Sequence, residues 1–258
     1  MRWDPQQYGR FAAERGRPFL DLMQRVSIQR PRRVVDLGCG PGKLSALLAE
    51  RWPSAVVEGL DSSAEMIEAA LALGSRVGFR VEDIVEWTMP ADIDVLVSNA
   101  TLHWIPGHLD LLARWAAQLP VGGWLAVQVP GNFDSPSHAL MRSLASSPRW
   151  AGSLAGVLRH HSVPAPSSYA AILLDADLVA DVWETTYLHV LAGSDPVLEW
   201  LRGTGLRPVL AALAPDDALE FERRLATLLR AAYPATPGGT LLPFRRIFAV
   251  GHRVDRPA

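Results

Sequence analysis

Along the first 130 residues, short apolar runs alternate with stretches whose apolar positions recur at helical spacing. Arg33-Val34-Val35-Asp36-Leu37 is β-branched and stops at glycines, which predicts a strand. Leu44, Leu47 and Leu48 then repeat every three to four residues up to Pro53, the pattern of a helix with one apolar face. Residues 56–60 predict a second strand. Ser62 and Glu65 have capping-box spacing, with Ser62 as N-cap, and Met66, Ile67, Ala70 and Leu71 continue the helix that follows. Residues 77–81 predict a third strand. Residues 93–97 predict a fourth, apolar enough to be buried on both faces. Leu109, Leu112 and residues 115–119 give another helix, ended by Pro120, and 124–129 a fifth strand after the Gly122-Gly123 turn.

The rhythm then breaks. Residues 131–167 are rich in Ser, Pro, His and Gly, with one helical stretch at 139–144. A helix resumes over 168–178, and 182–190 alternates like a strand. Residues 195–233 read as helical in at least two pieces, broken near 203–208. Asp217 and Glu220 are the expected caps of the last piece, and Leu225, Leu228 and Leu229 its stripe. Residues 244–250 close as a strand. Five strand–helix alternations and two late strands predict an α/β, doubly wound, mostly parallel sheet of seven strands. The expected organisation is one domain, 1–258, with an N-terminal helical segment over 1–30. Segments 131–167 and 194–240 are expected to form a helical lid over the sheet's carboxyl edge.

Charge narrows the partners. The 258 residues carry a formal net charge of −2, and the isoelectric point is near 6.4. A nucleic-acid-binding domain is expected to lie above roughly 9, so no nucleic-acid partner is expected. Cys39 is the single cysteine, so no intrachain disulfide can form and a cytoplasmic setting is the expectation. The first residues lack the apolar stretch of a signal peptide, and no run approaches the ~18 apolar residues of a span, so no membrane partner is expected. Lys43 is the single lysine and the other 24 basic residues are arginines. The planar arginine fork pairs with carboxylates bidentately.

The most informative stretch is Asp36-Leu37-Gly38-Cys39-Gly40-Pro41-Gly42, which leaves a strand and opens a helix. Glycines there let a ligand approach the backbone, and the helix N-terminus offers unpaired N–H groups to an anionic group. The spacing departs from both the dinucleotide and the P-loop patterns, because Lys43 stands at the sixth position of the first and Leu44 follows it. Asp61 ends the second strand 19 residues past Gly42, where an acid suits the two hydroxyls of a ribose. Asp83 ends the third strand in Val81-Glu82-Asp83-Ile84, where a carboxylate can accept from an exocyclic amine. A glycine loop and two acids on three successive strand ends describe a nucleoside site. His160-His161 has no third ligand at useful spacing, so no metal is expected. Cys39 reads as a small loop residue, with no base to activate it.

The run Val34-Val35-Asp36-Leu37-Gly38-Cys39-Gly40-Pro41-Gly42 resembles the first motif of class I S-adenosylmethionine-dependent methyltransferases. Further blocks look like one branch of them, the trans-aconitate methyltransferases. These are Trp3-Asp4-Pro5-x-x-Tyr8, Phe11, Ala13-Glu14-Arg15-x-Arg17-Pro18, Gly59-Leu60-Asp61-Ser62-Ser63 and Ser98-Asn99-Ala100-Thr101-Leu102-His103-Trp104-Ile105-Pro106. The likeness continues through Leu125-Ala126-Val127-Gln128-Val129-Pro130 with Asn132, Trp183-x-Thr185-Thr186-Tyr187-x-His189 and Trp200-x-x-x-Thr204-Gly205-Leu206-Arg207-Pro208. The chain departs from that pattern at His103, where glutamine is usual.

The resemblance implies a Rossmann-like fold and S-adenosylmethionine as cofactor. It assigns Gly38, Gly40 and Gly42 to the methionine end, and Asp36 to the loop or the methionine amine. Asp61 would take the ribose, Ser62 and Met66 the flanks of the adenine, and Asp83 and Ile84 its edge. Asn99 would lie under the sulfonium, and Tyr8 and Arg17 would cover the methionine carboxylate. On the acceptor side it points to His103, Trp104, Gln128, Asn132, Tyr187, His189, Arg207 and Arg245. The implied reaction is carboxyl O-methylation of a small acid, trans-aconitate in that branch. It needs no catalytic residue beyond proximity and alignment, because a carboxylate is ionised at pH 7. Methylation of a phenol or another acid, or cofactor binding without turnover, would use the same nucleoside site.

Overall fold

The computed structural model describes residues 12–158 and 163–255, with the backbone alone for 12–15. Tyr8 and the His160-His161 pair lie outside the described residues. Helices are α1 Ala12–Met23, α2 Lys43–Arg51, α3 Ala64–Leu71, α4 His108–Gln118, α5 Pro136–Ala145, α6 Pro166–Asp175, α7 Pro196–Arg202, α8 Arg207–Ala212 and α9 Pro215–Ala232. Strands are β1 Arg33–Leu37, β2 Val56–Asp61, β3 Gly78–Val81, β4 Val95–Asn99, β5 Trp124–Pro130, β6 Val179–Leu191, β7 Ala235–Thr236 and β8 Gly239–His252. One sheet runs in the order β3-β2-β1-β4-β5-β8-β6, with the two-residue β7 added against β8. The β1–β5 pairings are parallel, whereas β8 is antiparallel to both β5 and β6. The predicted doubly wound, mostly parallel sheet is the observed one.

Period-two alternation divides the central strands between two cores. Val35 and Leu37 of β1 pack with Leu96, Leu112, Trp115, Tyr169 and Leu173 on one face. Val34, Val95 and Val97 pack with Phe19, Leu22, Leu48 and Trp52 on the other. Both faces are covered, which is why these strands read as apolar throughout rather than alternating. A third core, of Met141, Trp150, Trp200, Phe221 and Leu225, joins α5 to α7 and α9 and rests on Leu191, Leu242 and Phe244. Those last three belong to β6 and β8, which at 13 and 14 residues outrun the parallel strands and carry this helical layer.

Local details correct the sequence reading. The N-cap of α3 is Ser63, not Ser62: Ser63 Oγ accepts from Met66 N at 3.2 Å. Leu71, the last residue of α3, is 59% exposed. Neither Asp217 nor Glu220 caps α9, which starts on Pro215 with Ala214 before it. Asp217 instead accepts from Arg149, and Glu220 from Arg223 and Arg224. The helix in the N-terminal segment ends at Met23, and residues 24–30 continue without one. No described helix is long and apolar enough to cross a membrane.

Candidate active site

The parallel strands end on one edge, where the order reverses between β1 and β4, and a cleft of about 1100 Å³ opens there. Such a switch point is where open α/β sheets hold ligands, because adjacent loops leave in opposite directions. The cleft brings together Asp36, Gly38, Gly40, Asp61, Ser62, Met66, Asp83, Ile84, Asn99, His103, Trp104 and Asn132 of the predicted set.

Asp61, at the end of β2, accepts from Gly40 N and from Ser63 N, both at 2.9 Å. It thereby ties the glycine loop to the start of α3. Burial raises its carboxyl above the usual range, offset by those two backbone donors. Asp36 is buried and accepts from Ser45 Oγ at 2.6 Å. Burial pushes its carboxyl up to about 6, against the Ser45 bond, with Asp61 adding to the rise. Cys39 is buried and its thiol is raised, mainly by burial and then by Asp36 and Asp61, so it is no nucleophile at neutral pH. Asp83 is exposed and accepts from Val85 N at 2.9 Å, holding the turn after β3. Beyond β4 the chain turns at Ala100, whose φ of 54° is left-handed for a non-glycine residue. Such strain costs about 1–2 kcal/mol and is common where a strand end must face a ligand.

The Asp36 shift has a sign. Its folded value lies above the unfolded one, so its contribution to stability is full below pH 4 and is lost as pH rises through 6. The ligand-free Asp36→Asn variant should therefore melt above the wild type at pH 7.5, by about 1–3 kcal/mol, with the gap closing by pH 4.5. Thermal melts of both proteins across that range measure it. A gap independent of pH removes Asp36 as its source.

The structure moves several predicted residues away from the cleft. Gly42 caps α2, and a Cβ there would lie 2.6 Å from the Phe79 ring and 2.7 Å from Ala70, so it is a packing position. Arg17 is exposed, 3.9 Å from Asp21 and over the Tyr187 ring. Tyr187 is buried behind the wall and donates to Asp21 at 2.6 Å. His189 stacks on Trp200 with ring centroids 4.9 Å apart, so it backs a cleft residue without lining the cleft. Gln128 is fully buried and accepts from Arg246 Nη1 at 3.3 Å. Arg207, at the start of α8, is not on the wall, although Gly205 and Pro208 on either side are. Arg245 faces away and binds Glu184 at 2.5 and 3.1 Å. Asn132 lines the cleft, but its amide is spent on the Arg245 backbone, accepting from N at 2.8 Å and donating to O at 2.9 Å.

Other wall residues carry charge that the sequence reading missed. Arg246 lies on the cleft face of β8 with Phe244, and His138, Met141 and Arg142 project from α5. The α5 trio stands at i, i+3 and i+4, a spacing visible in the sequence. Lys43 stands at the N-terminus of α2.

The residues present fit S-adenosylmethionine. Gly40 has positive φ and nothing within 4 Å of the place a Cβ would take, so its bare backbone can meet a ligand. Asn99 Oδ1 is buried in the cleft wall with no hydrogen-bond partner among the described residues. Asp36, Asp61 and Asp83 line the same end, which suits an ammonium, a ribose and an amine. Among the described residues there is no group of three or more His, Cys, Asp or Glu able to hold a metal.

Comparison with known proteins agrees with this geometry. Residues 10–181 match the methyltransferase domain family. The chain is 54% identical to the trans-aconitate 2-methyltransferase of Streptomyces avermitilis, over 97% of each chain. It is 55% identical to the protein of that name from Rhodococcus jostii, over 96% of this chain and 98% of that one. Its fold is also similar to geranyl diphosphate C-methyltransferase from Streptomyces coelicolor, solved with S-adenosyl-L-homocysteine. There the TM-score is 0.55 and the identity 15%, covering 97% of this chain and 86% of that chain. With its nucleoside end intact and its likeness running nearly end to end, the chain belongs to the trans-aconitate 2-methyltransferase family of S-adenosylmethionine-dependent enzymes.

Proposed function

We propose that this protein methylates a carboxylate of a small polycarboxylic acid, trans-aconitate, releasing a monomethyl ester and S-adenosylhomocysteine. The observation that carries the reading is the division of charge in the cleft. Asp36, Asp61 and Asp83 line the ends of β1 to β3, while Arg142 and Arg246 line α5 and β8. Acids at one end suit the cationic and hydroxyl-bearing cofactor, and guanidinium groups at the other suit an anionic acceptor.

Bound S-adenosylmethionine supplies an electrophilic methyl group on its sulfonium. Asp61 and Asp83 would hold its nucleoside, Asp36 and the Gly38–Gly40 backbone its amino-acid end, and Asn99 the region between. The acceptor carboxylate needs no general base, because its reference pKa near ~4 leaves it ionised at neutral pH. What the chain provides is alignment and exclusion of water. Effective molarity is worth roughly 7–11 kcal/mol in such a site. The described parts of the helical layer supply wall residues such as Phe133, Met141 and Pro208, which with Trp104 would shield the reacting groups from water.

Two outcomes test this. With both substrates saturating, kcat should vary less than about twofold from pH 7 to 8.5. A phenol acceptor, with a reference pKa near ~10, would give a rise of roughly thirtyfold over that range. A steep climb in kcat, or turnover of phenols with none of trans-aconitate, would overturn the carboxyl assignment.

A further inference from the structure

We infer that the acceptor half of the cleft holds an apolar side pocket floored by Gly205. It admits dicarboxylic acids that carry an alkyl chain, and Gly205 sets the length of chain that fits. The inference rests on the carboxyl-transfer reading above and extends it to acceptors with an apolar arm.

The block Trp200-x-x-x-Thr204-Gly205-Leu206-Arg207-Pro208 brings no charge to the site, since Arg207 is not on the wall. Trp200, Thr204, Gly205 and Pro208 are on it. Thr204 Oγ1 is spent within the chain, donating to Trp200 O at 3.2 Å. The block therefore presents an indole, a proline ring and a glycine without a side chain. Met141 and Phe244 continue this surface. They share one buried cluster with Trp200, Leu158 packs against it, and all four line the cleft. The Trp200 and Phe244 ring centroids are 5.2 Å apart.

Gly205 is half-buried, and its φ lies outside the left-handed region, so the backbone there does not call for glycine. A Cβ at this position would lie 3.4 Å from Met141 Cε and 3.7 Å from His138 Nε2, both on the cleft wall. These are ordinary contacts, so a small side chain would fit and would take its room from the cleft. A third charged arm gains nothing from such a surface, because a carboxylate taken from water needs a paired or hydrogen-bonded place. An alkyl arm gains roughly fourfold in affinity for each methylene removed from water. Arg142 follows Met141 on α5 and lines the same cleft, so a carboxylate and an alkyl arm of one acid meet neighbouring residues. The transfer is unchanged. A carboxylate oxygen forms the O–CH3 bond as the S–CH3 bond breaks, and the electron pair stays on the sulfur of S-adenosylhomocysteine.

The experiment compares the wild type with Gly205→Ala and Gly205→Val. Acceptors are trans-aconitate and the methyl-, propyl- and pentyl-substituted fumarates in which an alkyl chain replaces its carboxymethyl arm. Steady-state kinetics, S-adenosylhomocysteine affinity, melting curves and calorimetric binding of each acid to the S-adenosylhomocysteine complex are measured on each protein. In the wild type, kcat/KM should rise about tenfold or more from the methyl to the propyl acid, mostly through KM. In Gly205→Val the propyl-to-methyl ratio should fall to about one, with Gly205→Ala between the two. S-adenosylhomocysteine affinity should stay within twofold of the wild type in both variants. If Gly205→Val does not fold, Gly205→Ala carries the same comparison, and its pentyl-to-methyl ratio should drop about threefold or more.

The pocket is overturned if wild-type kcat/KM stays level or falls as the chain lengthens, the result of an apolar wall that only excludes water. It is also overturned if the folded Gly205 variants keep the wild-type ratios, or lower every acid and S-adenosylhomocysteine affinity by one factor. Binding that strengthens with chain length and depends on Gly205, without turnover of any acid by the wild type, would instead overturn the carboxyl-transfer reading and leave the pocket standing.

Discussion

Asp61→Asn should weaken S-adenosylhomocysteine binding about 100-fold while the protein remains folded. The Asp61 carboxylate does two things at once. Two of its roughly four lone-pair sites accept from Gly40 N and Ser63 N, and the others are available at the cleft wall. Asparagine keeps the shape but turns one oxygen into a donor. That NH2 must then face the Gly40 N–H, the Ser63 N–H or the ligand hydroxyls. A hydrogen bond to a charged group contributes about 1.5–3 kcal/mol, so losing one or two matches the expected change. Calorimetry gives the affinity and circular dichroism the fold. Wild-type affinity in a folded Asp61→Asn protein would remove Asp61 from the cofactor site. Asp61→Glu is a useful companion, since the charge returns but the carboxylate is displaced from Gly40.

The two halves of this site differ in how far the chain alone reveals them, and the difference is physical. The nucleoside half is written in local signals. Glycines stop β1, an acid ends β2, Asp83 follows β3 and Asn99 ends β4, and strand ends are legible from apolar runs and their breakers. The parallel sheet then brings these ends to one edge, so correct strands sufficed to gather the residues. The acceptor half depends on which way a side chain faces, which composition does not report. Arg245 and Arg246 are adjacent, and period-two alternation sends one to Glu184 and the other to the cleft. Choosing between them requires the phase of β8. That phase shows only in the fold, where Leu241 and Pro243 are exposed and Leu242 and Phe244 are buried, because adjacent leucines give no alternation in the sequence. Arg142 and His138 were hidden by the polar, proline-containing context of α5, although their i, i+4 spacing puts them on one face. Asn132, Tyr187 and His189 show a further limit of motif reading. Each stands in a block shared with the family, yet each is committed to other groups of the chain itself.

Gly38→Ala and Gly40→Ala, two residues apart in one loop, should fail in opposite ways. Both positions have positive φ, 79° and 54°, so either alanine carries backbone strain of about 1–2 kcal/mol. For a protein of this size that corresponds to a melting temperature lower by roughly 2–8 °C. The surroundings then decide the rest. A Cβ on Gly38 would lie 2.1 Å from Thr101 Oγ1 and 2.6 Å from Thr101 Cβ, so the loop or the β4 turn must shift. Thr101 Oγ1 donates to Gly38 O at 3.1 Å, and that tie between the two strand ends would be lost. The expected result for Gly38→Ala is a large loss of stability, beyond the strain alone, with binding lost as a consequence. A Cβ on Gly40 meets nothing within 4 Å and enters the cleft instead. Gly40→Ala should therefore show only the strain penalty in its melting temperature. Yet it should bind S-adenosylhomocysteine 100-fold or more weakly, because the methyl group stands where the ligand must approach the backbone. Melting curves with and without S-adenosylhomocysteine separate the two variants. A Gly40→Ala protein that is stabilised by the ligand as strongly as the wild type would show that the ligand does not approach the loop at Gly40.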